Sequence, residues 1–349
     1  IMPFLMGISA LGFMIGTGGS AIVAKTLGEE KIKNANEYFS MLVYITAIGG
    51  IIIAILSMFL VKPVAILFGA SGTLLDNCIL YGRILCISLP AFMLQNVFQS
   101  FFVTAEKPHL GLRVIVIAGV TNMVLDFLFV AVLHFGLPGA GFATVCGEFI
   151  GGLFPLFYFG RKNSSLLKLG KTHFHGSILL KTCTNGSSEL MTNLSSSVVN
   201  ALYNMQLMKF AGEDGVAAYG TIMYVNFIFV SIFFGYAIGS APIVSYHYGA
   251  NNQDELKNLF HKSIRLIGTW AVSLFIIAQL IATPLATLFV GYDQGLFELT
   301  RSGFRLYSFA FLINGFNIYG SAFFTALNNG LLSALISFLR TLVFQMAVV

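Results

Sequence analysis

Apolar residues run through this chain in long blocks, without the strict alternation of a half-buried strand or the narrow stripe of a soluble helix. Met41 to Val61 carries no charge, and neither does Leu266 to Tyr292 or Leu306 to Leu339. About 20 mostly apolar residues suffice to cross a bilayer as a helix. The pattern predicts ten such helices, at about 1–24, 38–60, 79–103, 112–133, 140–160, 180–208, 216–246, 264–289, 303–326 and 331–349. Turn-forming clusters such as Gly136-Leu-Pro-Gly139 and Leu327-Asn-Asn-Gly330 separate them. Ile1 and Val349 both stand inside apolar runs, which reads as a fragment and not as a chain with a cleaved leader.

Polar residues set the orientation. One set of alternate loops holds Lys25, Lys31, Lys33, Lys107, Arg113, Arg161, Lys162, Lys168, Lys171, Lys181, Lys257, Lys262 and Arg265; the other holds Lys62, Arg83, Lys209, Arg301 and Arg305. The positive-inside rule places the first set in the cytoplasm. Labelling at Lys33 and Lys168 is expected to report one side.

The chain also repeats itself. A shift of 221 residues without a gap sets Gly18 on Gly239, Gly28 on Gly249, Pro63 on Pro284, Leu67-Phe68 on Leu288-Phe289, Gly82 on Gly303, Asn96 on Asn317, Ser100 on Ser321 and Thr104-Ala105 on Thr325-Ala326. The period spans an even number of helices, so the two copies share one topology, the parallel type of repeat. The expected fold is an all-α integral membrane protein of two pseudo-symmetric six-helix bundles, about ten spans of which are present. Residues 1–160 form the first bundle without its first helix. Residues 161–179 form a flexible cytoplasmic linker, and 180–349 the second bundle without its last helix.

Composition sharpens this picture. Of 349 residues, 57% are hydrophobic and only 9% charged, against about 25% charged in a soluble domain. The net charge of +5 is scattered over short loops, which argues against a nucleic-acid partner and for the lipid bilayer. The four cysteines, Cys78, Cys86, Cys146 and Cys183, have neither metal-ligand nor redox spacing. His173-Phe-His175 has no further ligands nearby, Gly16-Thr-Gly-Gly19 lacks the context of a phosphate loop, and Asn163-Ser-Ser lies on the cytoplasmic side. No metal or cofactor is expected, and no nucleophile cluster points to an enzyme.

Three of the 14 acidic residues fall within predicted helices: Asp126, Glu148 and Glu189. A charged side chain at the bilayer centre costs about 2.5–3.5 kcal/mol on insertion scales, so each should face protein or a wet cavity. Asn122 and Asp126 share a helix face at a spacing of four. Glu189 begins a polar stripe with Asn193, Ser196, Asn200, Tyr203 and Asn204, as expected of a cavity wall. Ser88, Gln95 and Gln99 share a face of the third predicted helix, beside Asn96, and the matching region offers Asn314 and Asn317. These are candidate ion- and substrate-binding groups.

Several stretches resemble one family. Ile15-Gly-Thr-Gly-Gly-Ser20 with Ala24-Lys-Thr-Leu-Gly28 resembles the second helix and following loop of MATE (multidrug and toxic compound extrusion) transporters. Thr104-Ala-Glu-Lys-Pro108, Asn122 to Asp126 and Asn200-Ala-Leu-Tyr-Asn204 resemble further family stretches, and Gly249-Ala-Asn-Asn is the second-half counterpart of Gly28-Glu-Glu-Lys31. The resemblance implies twelve helices in two bundles in the whole protein, and export of organic cations in exchange for H+ or Na+. Asp126 matches the family's fifth-helix acid, and Glu189 lies in the seventh helix, where an acid matters in some members. The expectation is a monomeric, multi-pass antiporter of the plasma (inner) membrane that works by alternating access. The alternatives are a lipid-linked oligosaccharide flippase of the same superfamily, which would need a basic central cavity, and a membrane-embedded enzyme.

Overall fold

The computed structural model describes residues 2–67 and 69–348. The Phe68–Phe289 match, and the starts and ends at Ile1 and Val349, lie outside them.

Among the described residues the regular structure is helical. Helices α1 (Met2–Gly28), α2 (Ile32–Leu67), α3 (Gly72–Thr104), α4 (Pro108–Asp126, continued as a π-helical turn over Phe127–Val132) and α5 (Gly136–Gly160) pack as the first bundle. A continuous 74-residue run, α6 (Gly176–Gly249), follows. It is two helices in one. Gly212 breaks it at φ 62°, ψ −153°, a left-handed backbone geometry that favours glycine. The second bundle adds α7 (Gln253–Val290), α8 (Gln294–Tyr307), a 3-10 turn at Ser308–Ala310, α9 (Phe311–Ala326), α10 (Gly330–Phe338), a π-helical turn at Leu339–Val343 and α11 (Phe344–Val348). Nine of the described helical segments are long and apolar enough to cross a membrane, and the break at Gly212 divides one of them into the two helices expected at 180–208 and 216–246.

Local chemistry sets the ends. Asn252, Asp293 and Asn329 cap α7, α8 and α10, their side-chain oxygens accepting from the backbone N–H of Glu255, Leu296 and Leu332. Pro108 opens α4, where a missing N–H costs nothing. Lipid replaces water on the outer faces: Ile48, Ile51, Ile52, Ile55, Leu56 and Phe59 of α2 are all exposed. The first bundle's core gathers at the Lys-rich end, where Phe39 lies 4.9 Å from Phe101 and 5.1 Å from Phe159 between ring centroids.

The repeat is present, with one correction. α1 and α6 end at Gly28 and Gly249, α2 and α7 start at Ile32 and Gln253, and the turns put Glu30 (φ 62°) and Asn251 (φ 54°) in the same left-handed geometry, all at the 221-residue shift. Beyond α2 the offset is 222. α3 spans Gly72–Thr104 and its counterpart Gln294–Ala326, each of 33 residues. The next left-handed turn residues are Glu106 and Asn328. At this offset the buried Gly82, Cys86, Leu89, Met93 and Asn96 match the buried Phe304, Ser308, Phe311, Gly315 and Ile318. The expected pairs Gly82–Gly303, Asn96–Asn317 and Ser100–Ser321 therefore stand one residue out of register, and the mate of Asn317 is Gln95. One residue gained between Leu288 and Gln294, where α7 gives way to the turn into α8, causes this without disturbing the register within either helix.

The linker also differs from expectation. Residues 161–175 are strapped along α2. Asn36 Oδ1 accepts from Lys168 N–H at 2.6 Å, Ser40 Oγ from Gly170 N–H at 3.0 Å, and the Thr172 hydroxyl donates to the Glu37 carbonyl at 2.7 Å. Leu167 is fully buried in the first bundle's core. Its Gly/Ser/Lys composition suggested freedom, but polar side chains of α2 complete the backbone hydrogen bonds that an extended segment cannot supply itself.

Candidate functional site

Two polar centres lie within the helices, in different places. The first is a seam inside the first bundle, where α3 faces α4 and α5. Asn122 of α4 donates to Thr144 Oγ1 of α5 at 3.5 Å. Tyr81 of α3 lies near Thr144, Asp126 and Glu148. Ser88 of α3 lies near the Glu148 carboxyl, its hydroxyl donating to the Leu85 carbonyl at 3.1 Å. Further along, the Gln95 side chain lies against Gly151, its Oε1 buried without a partner. Tyr81, Ser88 and Gln95 recur every seven residues on α3. Thr144, Glu148 and Gly151 recur at four and three on α5, so each set forms one face. The structure thus joins Asp126, Asn122, Glu148 and Gln95 in one seam. Tyr81 and Thr144 were missed by sequence reading; the four-residue spacing of Thr144 from Glu148 was the available signal.

The second centre is a narrow cavity of about 30 Å³ between the bundles, room for on the order of two waters. Thr17 and Ser20 of α1 line it opposite their repeat mates Ile238 and Ala241 of α6, so it lies on the pseudo-symmetry axis. Glu189 and Arg340 bring opposite charges to it. Among the described residues they form no ion pair within 4.0 Å. Arg340 Nη2 reaches Thr192 Oγ1 at 3.4 Å, while Nη1 is buried without a partner.

The stripe above Glu189 does not line this cavity as a continuous wall. The Asn193 amide turns back to the Glu189 carbonyl at 2.8 Å. Asn200 Oδ1 accepts from the Tyr219 hydroxyl at 2.9 Å, and Tyr203 stacks on Tyr219 at 5.5 Å. Asn204 is exposed, and Gln99 and Asn317 are half-buried. Glu189, Asn193, Ser196 and Tyr203 are half-buried, while Asn200 and Asn204 at the far end are exposed. The reason is that α1 and α6 meet closely at Gly18 against Thr182 and Gly186, and at Gly28 against Tyr246.

At the Lys-rich end a larger cavity of about 410 Å³ opens, lined by residues of both bundles. There Lys31 Nζ lies 2.8 Å from Glu29 Oε2, and that hydrogen bond holds the lysine pKa above its ordinary value. Among the described residues no group of three or more His, Cys, Asp or Glu is arranged to hold a metal ion.

Comparison with known proteins places this architecture. The MatE family model matches residues 1–128 and 190–349, one block for each half of the repeat. The multidrug export protein MepA of Staphylococcus haemolyticus is 24% identical over 251 residues, 72% of this chain and 55% of that protein. The MepA protein of Staphylococcus saprophyticus is 22% identical over 321 residues, 90% of this chain and 71% of that one. The chain thus spans about half the length of the first of these relatives. A solved structure described as the outward-facing conformation of a multidrug resistance MATE family transporter of the MOP superfamily superposes with a TM-score of 0.93 at 23% identity, over 99% of this chain and 77% of that one. Family match, repeat and helical membrane fold agree: the chain belongs to the MatE family.

Proposed function

We propose that this chain forms most of a secondary active multidrug exporter that exchanges organic cations for H+ or Na+ by alternating access. The observation that carries the reading is the Asp126 seam: a carboxyl, an amide and hydroxyls converging between helices of one bundle, apart from the cavity between the bundles. Asp126, Asn122 and Thr144 offer oxygen atoms to a hard cation, and a carboxyl can take a proton instead. The seam would bind the coupling ion, with Glu148 as a second carboxyl beside it. Glu189 would meet the cargo in the central cavity once the bundles separate. The aromatic supply suits flat cations. The relatives' names as multidrug export proteins support the same reading. Reconstituting the full-length protein into vesicles with an imposed H+ or Na+ gradient tests it. Gradient-driven uptake of an organic cation is expected, and uptake indifferent to both gradients would refute the coupling.

One observation favours a second reading. Arg340 brings a guanidinium with an unpaired Nη1 into the central cavity, which suits cargo bearing an anionic group, as a flippase substrate would. Under the first reading Arg340→Gln leaves transport of a pure cation intact. Under the second it abolishes transport of an anionic lipid-linked substrate.

A further inference from the structure

The larger cavity at the Lys-rich end is used by neither centre. It is big enough, at about 410 Å³, for a small polyatomic ligand. Three lysines line it: Lys25 from the end of α1, Lys31 from the end of the turn into α2, and Lys181 from the start of α6. Glu29 is the one carboxylate in the lining, and it is already engaged, 2.8 Å from Lys31 and 3.9 Å from Lys25. Lys181 is exposed, and among the described residues it forms no ion pair. The space therefore carries a surplus of two positive charges. Lys25 Nζ also stands 5.2 Å from the ring centroid of Tyr248, a residue of the second bundle, while Tyr38 comes from the first. An organic cation is repelled from such a space, whereas lysine point charges with hydroxyl donors match a phosphate group.

We infer that the cavity between Lys25, Lys31 and Lys181 is an anion site that takes a phosphate-bearing group. Its walls come from both bundles, so a bound anion fastens together the ends that are closed in this conformation. Basic pockets between membrane helices on the lysine-rich side recognise lipid headgroups by the same chemistry, and a soluble phosphate compound would satisfy the same lysines.

The experiment uses the full-length purified protein and reads its Tm, so its result does not depend on any export activity. Inorganic phosphate is titrated in detergent against chloride at equal ionic strength. Separately, nanodiscs of phosphatidylcholine alone are compared with nanodiscs that include phosphatidylglycerol. Phosphate is expected to raise Tm by about 2–4 °C. That rise should vanish in the triple variant Lys25→Gln/Lys31→Gln/Lys181→Gln, shrink in Lys181→Gln, and persist in Lys33→Gln, which lies outside the cavity. A lysine-dependent rise with phosphatidylglycerol but not with phosphate assigns the site to a lipid headgroup and supports the inference equally. No rise with either, or a rise that survives the triple variant, overturns it. Should the triple variant fail to fold, Lys181→Gln decides, since that exposed residue holds no ion pair: an undiminished rise there overturns the site.

Discussion

Gly28 and Gly249 face each other's helices reciprocally: a Cβ on Gly28 would meet the carbonyl of Tyr246, and a Cβ on Gly249 would meet the carbonyl of Lys25. Lys25 and Tyr246 are themselves repeat mates, so this contact is its own image under the internal symmetry. It holds the Lys-rich ends of α1 and α6 together at backbone distance, as small residues do between membrane helices.

Gly28→Leu is therefore expected to drive these ends apart, because overpacking of such a contact costs about 1–3 kcal/mol. Thr182, fully buried beside Gly18 and Gly19, reports on it. Labelling of Thr182→Cys should speed up by about tenfold in the Gly28→Leu background, the rate equivalent of about 1.4 kcal/mol. An unchanged rate would show that the glycine contact does not hold the closed ends.

Asp126→Asn in the full-length protein keeps the shape and removes the titratable charge. Ion-driven drug uptake into everted vesicles is expected to fall at least about tenfold, if the seam supplies about 1.4 kcal/mol of coupling. Expression should stay normal, since an amide is cheaper than a charge within the membrane. Unchanged uptake across a range of pH would make Asp126 structural and shift the weight to Glu189.

The strap over α2 predicts resistance to proteolysis. Trypsin should cut slowly at Lys168 and Lys171 in the native protein. Leu167→Ala removes a fully buried side chain at a cost of about 2–5 kcal/mol, and cleavage there should accelerate together with a lower Tm. Rapid cleavage of the unmodified protein would restore the flexible linker that its composition suggested.

A knot of hydroxyls joins α9 to α10: Ser321 Oγ lies 2.9 Å from Ser333 Oγ and 2.8 Å from Ser337 Oγ, and Thr325 Oγ1 lies 2.8 Å from Ser333 Oγ. Ser333 is fully buried. Ser333→Ala is expected to cost about 0.6–1.7 kcal/mol, the range for hydrogen bonds between membrane helices. Thermal unfolding in detergent measures it, and a loss within error would mean that the remaining hydroxyls re-pair without Ser333.

Much of this protein was legible along the chain because the governing forces are local in sequence. An uncharged run such as Met41 to Val61 spans whatever it packs against, since a helix satisfies its own backbone in lipid. Gly28 and Gly249 disclosed the repeat for a similar reason: each needs a backbone approach that any side chain forbids. Asp126 with Asn122, one turn apart, marked a polar face without reference to any other helix.

The remainder depends on residues distant in sequence, and no periodicity encodes such meetings. Arg340 faces Glu189 across a cavity because the π-helical turn of Leu339–Val343 and α6 pack in one bundle. Tyr81 and Thr144 join the Asp126 seam only because α3, α4 and α5 pack together. The one-residue slip of the repeat lies where α7 gives way to the turn into α8, and hydropathy does not mark where a helix stops. The strap of 161–175 looked free because its own composition is polar, but Asn36 and Ser40 of α2, about 130 residues earlier in the chain, hold it. Burial and hydrogen bonding of that segment are set by its partner helix, so only the packed structure could decide them.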